Sequence, residues 1–292
     1  MNTITVKELW RFPVKSFAGE QLDEAEFLAT GLLGDRAFAL IEKETNKVVT
    51  AKSIKKFPDL LDCRAEFTAA PRVGEAPPPV LRSLPNGIQT RSDSPDVDRV
   101  LSSYFGQDVR LAGAAPEDYT VDQYHPDIEA LVPDGHRDVT VDLKLGSALF
   151  AEMGMESAVP VGSLVDAFPL SVMTTSTLDR IQELCPESII DVSRFRMNVI
   201  LNTRDPGFLE NDWVGRSFSI GDTVNVQITM PDPRCVMVIL PQKNLPRDTS
   251  ILKSLVQHNR QDIGAGKYPC AGVYAVINSV GSVRVGDLIS EQ

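Results

Sequence analysis

Apolar and polar residues alternate along much of this 292-residue chain, with a period near two, as half-buried strands do. Residues 3–12 (TITVKELWRF) read as a strand, and PVKSFAG as the turn that leaves it. Residues 21–29 (QLDEAEFLA) alternate partway and give a second strand. After the glycine punctuation of GLLGD, RAFALIE resumes the pattern, and KETNK turns into VVTA. These segments predict a small antiparallel meander. Residues 71–79 (PRVGEAPPP) predict a surface loop. Beyond Ser94, PDVDRVLSSYFG predicts a short helix, with proline at its start and glycine past its end.

Residues 113–138 are rich in Gly, Pro, Asp and His with weak periodicity, and predict a junction between two halves. In the second half AFPLSVMT, FRMNVILN, TVNVQITM, CVMVILP, GVYAVIN and VRVGDLI read as strands. Two helices interrupt them: LDRIQELC, capped by Ser176 or Thr177 and stopped by Pro186, and SILKSLVQHN. Many short strands with few helices predict a mainly β (α+β) fold of barrel or sandwich type rather than alternating βα units. No internal repeat is evident. A division at 115/116 follows, into an N-terminal β-barrel-like domain and a second β-barrel carrying a few short helices.

Composition narrows the function. The net charge of −11 repels phosphate backbones, which argues against a nucleic-acid partner. No apolar run approaches membrane-spanning length, and the N-terminus lacks the features of a signal peptide, so a cytoplasmic location is expected. Cys63, Cys185, Cys235 and Cys270 form no CxxC pair, and the three histidines show no ligand spacing, so no zinc site or iron–sulfur cluster is expected.

Four short stretches can carry chemistry. Lys15 and Ser16 in PVKS can hold an anion, although a solvated turn would read the same way. Arg36 in GDRAF starts a strand, where it can reach a pocket or pair with Asp35. Arg196 and Asn198, two apart in RFRMN, share one face of an extended strand and can grip an anion or a heterocycle edge. Cys235 follows Arg234 at a proline-flanked corner. The cation can favour the thiolate there, or the thiol can serve as a small core residue. GAGKYP lacks the spacing of a phosphate loop and reads as a flexible turn. No GxSxG signature is present.

Taken in order, FPVKS, GLLGDRAFALI, VVTA, FPLSVMT, RFRMNVIL, PRCVMVIL and AGVYAVI…VRVGDLI resemble the MOSC family, named for the C-terminal domain of molybdenum cofactor sulfurases. The first half resembles the N-terminal β-barrel that precedes MOSC in the amidoxime reducing components and their bacterial relatives. The resemblance implies residues 1–115 as that barrel and 116–292 as the MOSC domain. It further implies a molybdenum cofactor (molybdopterin with Mo), with Cys235 as metal ligand and catalytic residue. Lys15, Ser16, Arg36, Arg196, Asn198, Arg234 and Tyr274 would hold the cofactor, and Thr174, Thr175 and Ser176 would face its phosphate. The family label also brings pyridoxal phosphate, as a family-level association only.

The implied activity is reduction of N-hydroxylated or N-oxide compounds by oxygen-atom removal. The implied partners are a small N-oxygenated substrate and a separate electron donor, ferredoxin or a cytochrome b5-like protein with its reductase. A persulfide carrier using Cys235 and a non-catalytic cofactor-binding protein are the alternatives. The chain departs from the family in reading Asp232-Pro233-Arg234-Cys235 where reductases often read Cys-Ser-Arg-Cys, and Val236-Met237-Val238 where many read Thr-Thr-Val.

Overall fold

The computed structural model describes residues 3–292. Its centre is a barrel of seven strands: β1 (Ile4–Arg11), β2 (Leu170–Thr174), β3 (Val199–Asn202), β4 (Ser217–Ile220), β5 (Val224–Pro233), β6 (Lys267–Ser279) and β7 (Leu288–Glu291). They pair in the order β2-β3-β1-β7-β4-β5-β6, and β6 pairs back onto β2, which closes the ring. Only β2 and β3 run parallel; the other pairs are antiparallel. Closure leaves no strand edge open to another chain. The fold is mainly β, as the alternation predicts, with four α-helices among the described residues.

The interior follows the period-two pattern. Leu170 and Val172, Val199 and Leu201, Phe218 and Ile220, and Val273, Ala275 and Ile277 all point into one buried cluster. Val6 and Leu9 join it although they are three apart, because β1 carries a bulge between Val6 and Glu8. Strand β5 accommodates Pro231 and Pro233 in the same way, with register shifts at Ile228/Met230 and Pro231/Pro233.

The first strand departs from the predicted meander. β1 pairs with β3 and β7 from the far end of the chain, and only its last residues pair with the short strand Glu20–Leu22. Ala39–Glu42 pairs instead with Val109–Ala112. The closed ring satisfies both edges of β1, which a local hairpin would leave half open. A second core packs Val14, Phe17, Leu40, Phe57 and Leu101 against Met173, Ile181, Ile251 and Leu255. Here the first half meets the outer face of β2 and the helices α3 (Thr175–Leu184) and α4 (Ser250–His258). Helix α1 (Val97–Phe105) ends on a left-handed Gly106, as read from the sequence, whereas α2 (Gly146–Glu152) was not foreseen.

Three other local expectations change. VMVI (Val236–Ile239) is a short 3-10 helix rather than a strand, because the extended chain ends at Pro233. Helix α3 begins earlier than expected, with Thr174 as its cap: the Thr174 hydroxyl accepts from the Thr177 N–H at 3.2 Å. Residues 113–138 contain the strand Thr120–His125, which forms a hairpin with Val139–Lys144.

Candidate functional site

The site lies on the seam between the two halves, where backbone turns rather than strand faces aim the side chains. Ser16, Arg36 and Arg196 all have positive φ, at 64°, 46° and 56°. Such a conformation is uncommon for residues other than glycine, and strain of this kind gathers at functional sites. Arg36 therefore precedes its strand instead of starting it. Arg196 and Asn198 precede β3, and they share no strand face.

Asp166 organises the charges. One carboxylate oxygen pairs with Lys15 and the other accepts from Lys52 at 2.7 Å. Lys15 also donates to the Leu164 carbonyl at 2.7 Å and lies 5.4 Å from the Tyr119 ring centroid. The Ser16 hydroxyl accepts from the Ala51 N–H at 3.0 Å and so holds the turn that presents Lys52. Burial favours the protonated form of Asp166, but the two lysines outweigh it and hold the carboxyl well below the usual range. Burial brings the Lys15 ammonium down to about 8, against the pull of Asp166. Lys52 is also buried, yet Asp166 and Cys235 more than compensate and raise its pKa.

A second group surrounds Phe12. The guanidinium carbons of Arg36 and Arg196 lie 4.5 Å and 4.3 Å from its ring centroid. Arg36 pairs with Asp35 and donates to the Arg196 carbonyl at 3.2 Å. Burial, then the like charge of Arg36, brings Arg196 down to about 9. Asn198 is fully engaged within the protein. Its amide oxygen accepts from the Ser171 N–H (3.3 Å) and hydroxyl (3.0 Å), and its amide nitrogen donates to Trp10 O (3.3 Å) and Asp35 (3.1 Å). It fixes the seam on which Arg196 stands.

Cys235 is partly exposed and caps the 3-10 helix Val236–Ile239. Arg234 favours the thiolate, as the sequence suggests, but only as a minor contributor. Its guanidinium donates to Ala271 O (2.7 Å) and Phe195 O (2.9 Å) and pairs with Asp232 at 2.7 Å. The leading cation on the thiol is Lys52, and burial still pushes the thiol up. Tyr274 stacks on Phe168 with centroids 5.4 Å apart, and Phe150 meets Phe168 edge-on at 5.6 Å. Burial lifts Asp232 to about 6, against the pull of Arg234 and a hydrogen bond from Tyr274.

The threonine turn stands apart. Thr174 and Thr177 hydroxyls both donate to buried Glu210 at 2.7 Å. The Thr175 hydroxyl donates to the Thr203 carbonyl at 3.1 Å, and the Ser176 and Thr203 hydroxyls lie 2.7 Å apart. None of these hydroxyls bonds to the cations. Sequence reasoning missed Lys52, Asp166, Phe168 and Glu210 and gave Asp232 no role, whereas the Arg36–Asp35 pair is one of the two readings it offered. The Lys52–Asp166 contact joins residues 114 positions apart, which no local motif reveals.

Five cations (Lys15, Lys52, Arg36, Arg196 and Arg234) thus meet three carboxylates (Asp35, Asp166 and Asp232) beside one partly exposed thiol. The surplus is positive inside a chain of net charge −11, which suits an anionic ligand with a soft metal. No group of three His, Cys, Asp or Glu that could hold a metal ion by itself occurs among the described residues. The pyridoxal phosphate association finds no support here, since both buried lysines are ion-paired to Asp166.

A closed barrel with a thiol corner and a cationic seam defines a protein of the MOSC type. The MOSC N-terminal beta barrel domain matches residues 3–74 and the MOSC domain matches residues 160–290, and the chain belongs to the MOSC-domain family. Among curated relatives, it is 25% identical over 305 residues to Mitochondrial amidoxime-reducing component 1 of Mus musculus, covering 97% of this chain and 81% of that one. It is 27% identical over 297 residues to Mitochondrial amidoxime reducing component 2 of Macaca fascicularis, covering 97% and 82%. The YUAD protein from Bacillus subtilis aligns over 99% of this chain and 97% of its own, at 12% identity and a TM-score of 0.45.

Proposed function

We propose that this chain is a molybdenum-cofactor-dependent reductase of N-hydroxylated or N-oxide compounds. The observation that carries the reading is the single partly exposed thiol, Cys235, set beside a surplus of cations in an acidic protein. The amidoxime-reducing names of the relatives support the substrate class. The donor set fits the group: a soft thiolate for molybdenum, and ammonium and guanidinium groups for the anionic, hydrogen-bonding pterin. When bound, the cofactor supplies two-electron oxygen-atom transfer.

The chain's own residues bind and orient. Cys235 Sγ is the metal ligand, and the Lys52 charge favours its anionic form. Lys15, Arg36 and Arg196 meet the anionic cofactor. Ser16 and Asn198 hold the turns that carry them, and Arg234 fixes the corner beneath the thiol. The Phe168–Tyr274 stack forms an aromatic wall suited to a flat substrate. Asp232, with a pKa of about 6, can hold or release a proton near neutral pH, as a reduction that forms water requires. Electrons come from a separate donor protein.

The test is molybdenum content after expression in a host that makes the cofactor, comparing wild type with Cys235→Ser, together with reduction of benzamidoxime by a chemical donor. Molybdenum near one per chain, lost in the variant, and turnover of the amidoxime are expected. A cyanolysable sulfur on Cys235 with no molybdenum would replace the reading with sulfur transfer. A loaded protein inert toward every N–O substrate would leave it a cofactor-binding protein.

A further inference from the structure

Residues 126–138 leave the first half of the chain and cross to the second. They join the strands Thr120–His125 and Val139–Lys144. Ile128 and Leu131 are buried in the core that Ile251 and Leu255 of α4 share. Pro133 packs closely on Gly266, just before β6: a Cβ on that glycine would meet the proline ring at 2.6 Å. Beside these anchors the fit is loose. A cleft of about 310 Å³ opens between Asp127 and Glu129 on this strap and Lys253 and Gln257 on α4.

The strap is held under strain. Ala130 and Asp138 have φ of 58° and 51°, a conformation that costs free energy outside glycine and marks segments able to switch. The ion pair of Arg137 with Asp127, 2.6 Å across the base of the strap, is exposed and contributes little. The His125 ring lies beneath at 6% exposure, its centroid 5.9 Å from that of His136, which is exposed on the strap. The Gln123 amide nitrogen stands 3.4 Å from His125 Nε2. A neutral imidazole can accept there, whereas a protonated one meets a donor.

Charges reach His125 from the elements packed around it. His136 and Asp134 act from the strap. Lys52 acts from the turn below, where its carbonyl accepts from the Tyr124 N–H at 3.0 Å. Tyr268 of β6 faces Asp134 in turn. Burial, then His136, lowers the His125 pKa from its ordinary 6.5, and Asp134 pulls the other way.

We propose that residues 126–138 are an acid-released strap: neutral His125 lets it clasp α4 and Gly266, and protonating His125 loosens it and with it the join between the two halves. Lys52, the leading cation on the Cys235 thiol, stands on the side of the seam that this opens. The closed strap binds the His125 proton less readily than the open one. Its stability is therefore whole above pH 6.5 and is lost as the pH falls through the lower, closed-state value.

Hydrogen exchange read by mass spectrometry tests the strap on the whole chain at about pH 7.5 and about pH 5, as protection factors corrected for the intrinsic pH dependence of exchange. Peptides over 126–138 lose protection by about fivefold or more in acid, while those over β3 and β6 change by less than about twofold. His125→Gln keeps the strap protected at both values. Asp134→Asn lowers the closed-state value further and enlarges the acid loss, and His136→Gln shrinks it. Melting curves at neutral pH check that each variant is folded; should His125→Gln not fold, the opposite responses of the other two decide. No acid loss in wild type, the same loss in His125→Gln, or an equal loss over β3 and β6 overturns the strap. So do Asp134→Asn and His136→Gln variants that both behave as wild type. The readout needs neither cofactor nor turnover, so the strap stands or falls apart from the function proposed above.

Discussion

Asp166→Asn removes one negative charge and keeps the shape. In the wild type that carboxylate bridges Lys15 and Lys52, two buried ammonium groups that repel each other. Breaking a buried ion pair costs about 3–5 kcal/mol. The Asp166 side chain is 33% exposed, so solvent screens part of the loss, and about 2 kcal/mol is the reasoned figure. For a chain of this size that lowers the melting temperature by roughly 5 °C. Its pH dependence follows from the sign of each shift. Asp166 is held below its ordinary carboxylate pKa of 3.8, so its stabilisation is present above that value and lost as pH falls through the folded-state value. Lys15 has the opposite character. Burial lowers it from 10.5 to about 8, so the folded state gains stability as pH rises from 8 to 10.5. Without Asp166 the Lys15 value drops further, and that gain begins at lower pH. The deficit of the variant is therefore full from about pH 5 up to the lowered Lys15 value, narrows from there to about pH 8, and does not widen above it; it also narrows as pH falls through the folded-state Asp166 value. Thermal melts across pH 3–10 read it directly. A double-mutant cycle with Lys52→Met adds a coupling of about 1 kcal/mol or more. A deficit below about 1 °C at pH 7, or one that widens above pH 8, refutes the bridge as the source of stability.

Other outcomes follow from the same contacts. Arg234→Met strands two carbonyls and the Asp232 carboxylate, so urea unfolding registers a loss of about 3 kcal/mol. Cys235→Ser melts within about 2 °C of wild type, because the thiol is partly exposed and lies outside the main apolar clusters; on the function proposed above, metal analysis of the same variant finds molybdenum lost. Gly272→Ala forces a Cβ to 2.5 Å from the Met197 side chain and 2.8 Å from the Val172 carbonyl at φ +79°, so it costs about 3 kcal/mol in thermal or chemical denaturation.

What the sequence made legible depends on the range of the forces involved. Period-two alternation is local, and it located β2, part of β5 and the long β6. It could not say that β1 closes the ring against β3 and β7, because strand pairing across the chain leaves no local mark. The thiol corner was visible as a motif, but the leading cation on it was not. Arg234 is adjacent in sequence, and its guanidinium holds the backbone of Phe195 and Ala271. Lys52 comes from the other half and is held by Asp166, a residue with no motif of its own. The same distinction explains the arginines. Extended geometry would place Arg196 and Asn198 on one face; the left-handed turn at Arg196 instead sends its guanidinium to Phe12, beside that of Arg36. Three of the seven non-glycine residues at positive φ among the described residues, Ser16, Arg36 and Arg196, are ones that sequence reasoning had singled out for chemistry, though on the assumption of ordinary backbone. Their conformational cost is offset by the contacts around them: Ala51 on Ser16, Asp35 on Arg36, Phe17 on Arg196. Each of these contacts except Asp35–Arg36 joins segments distant in sequence, so the charges gather only when the barrel has closed.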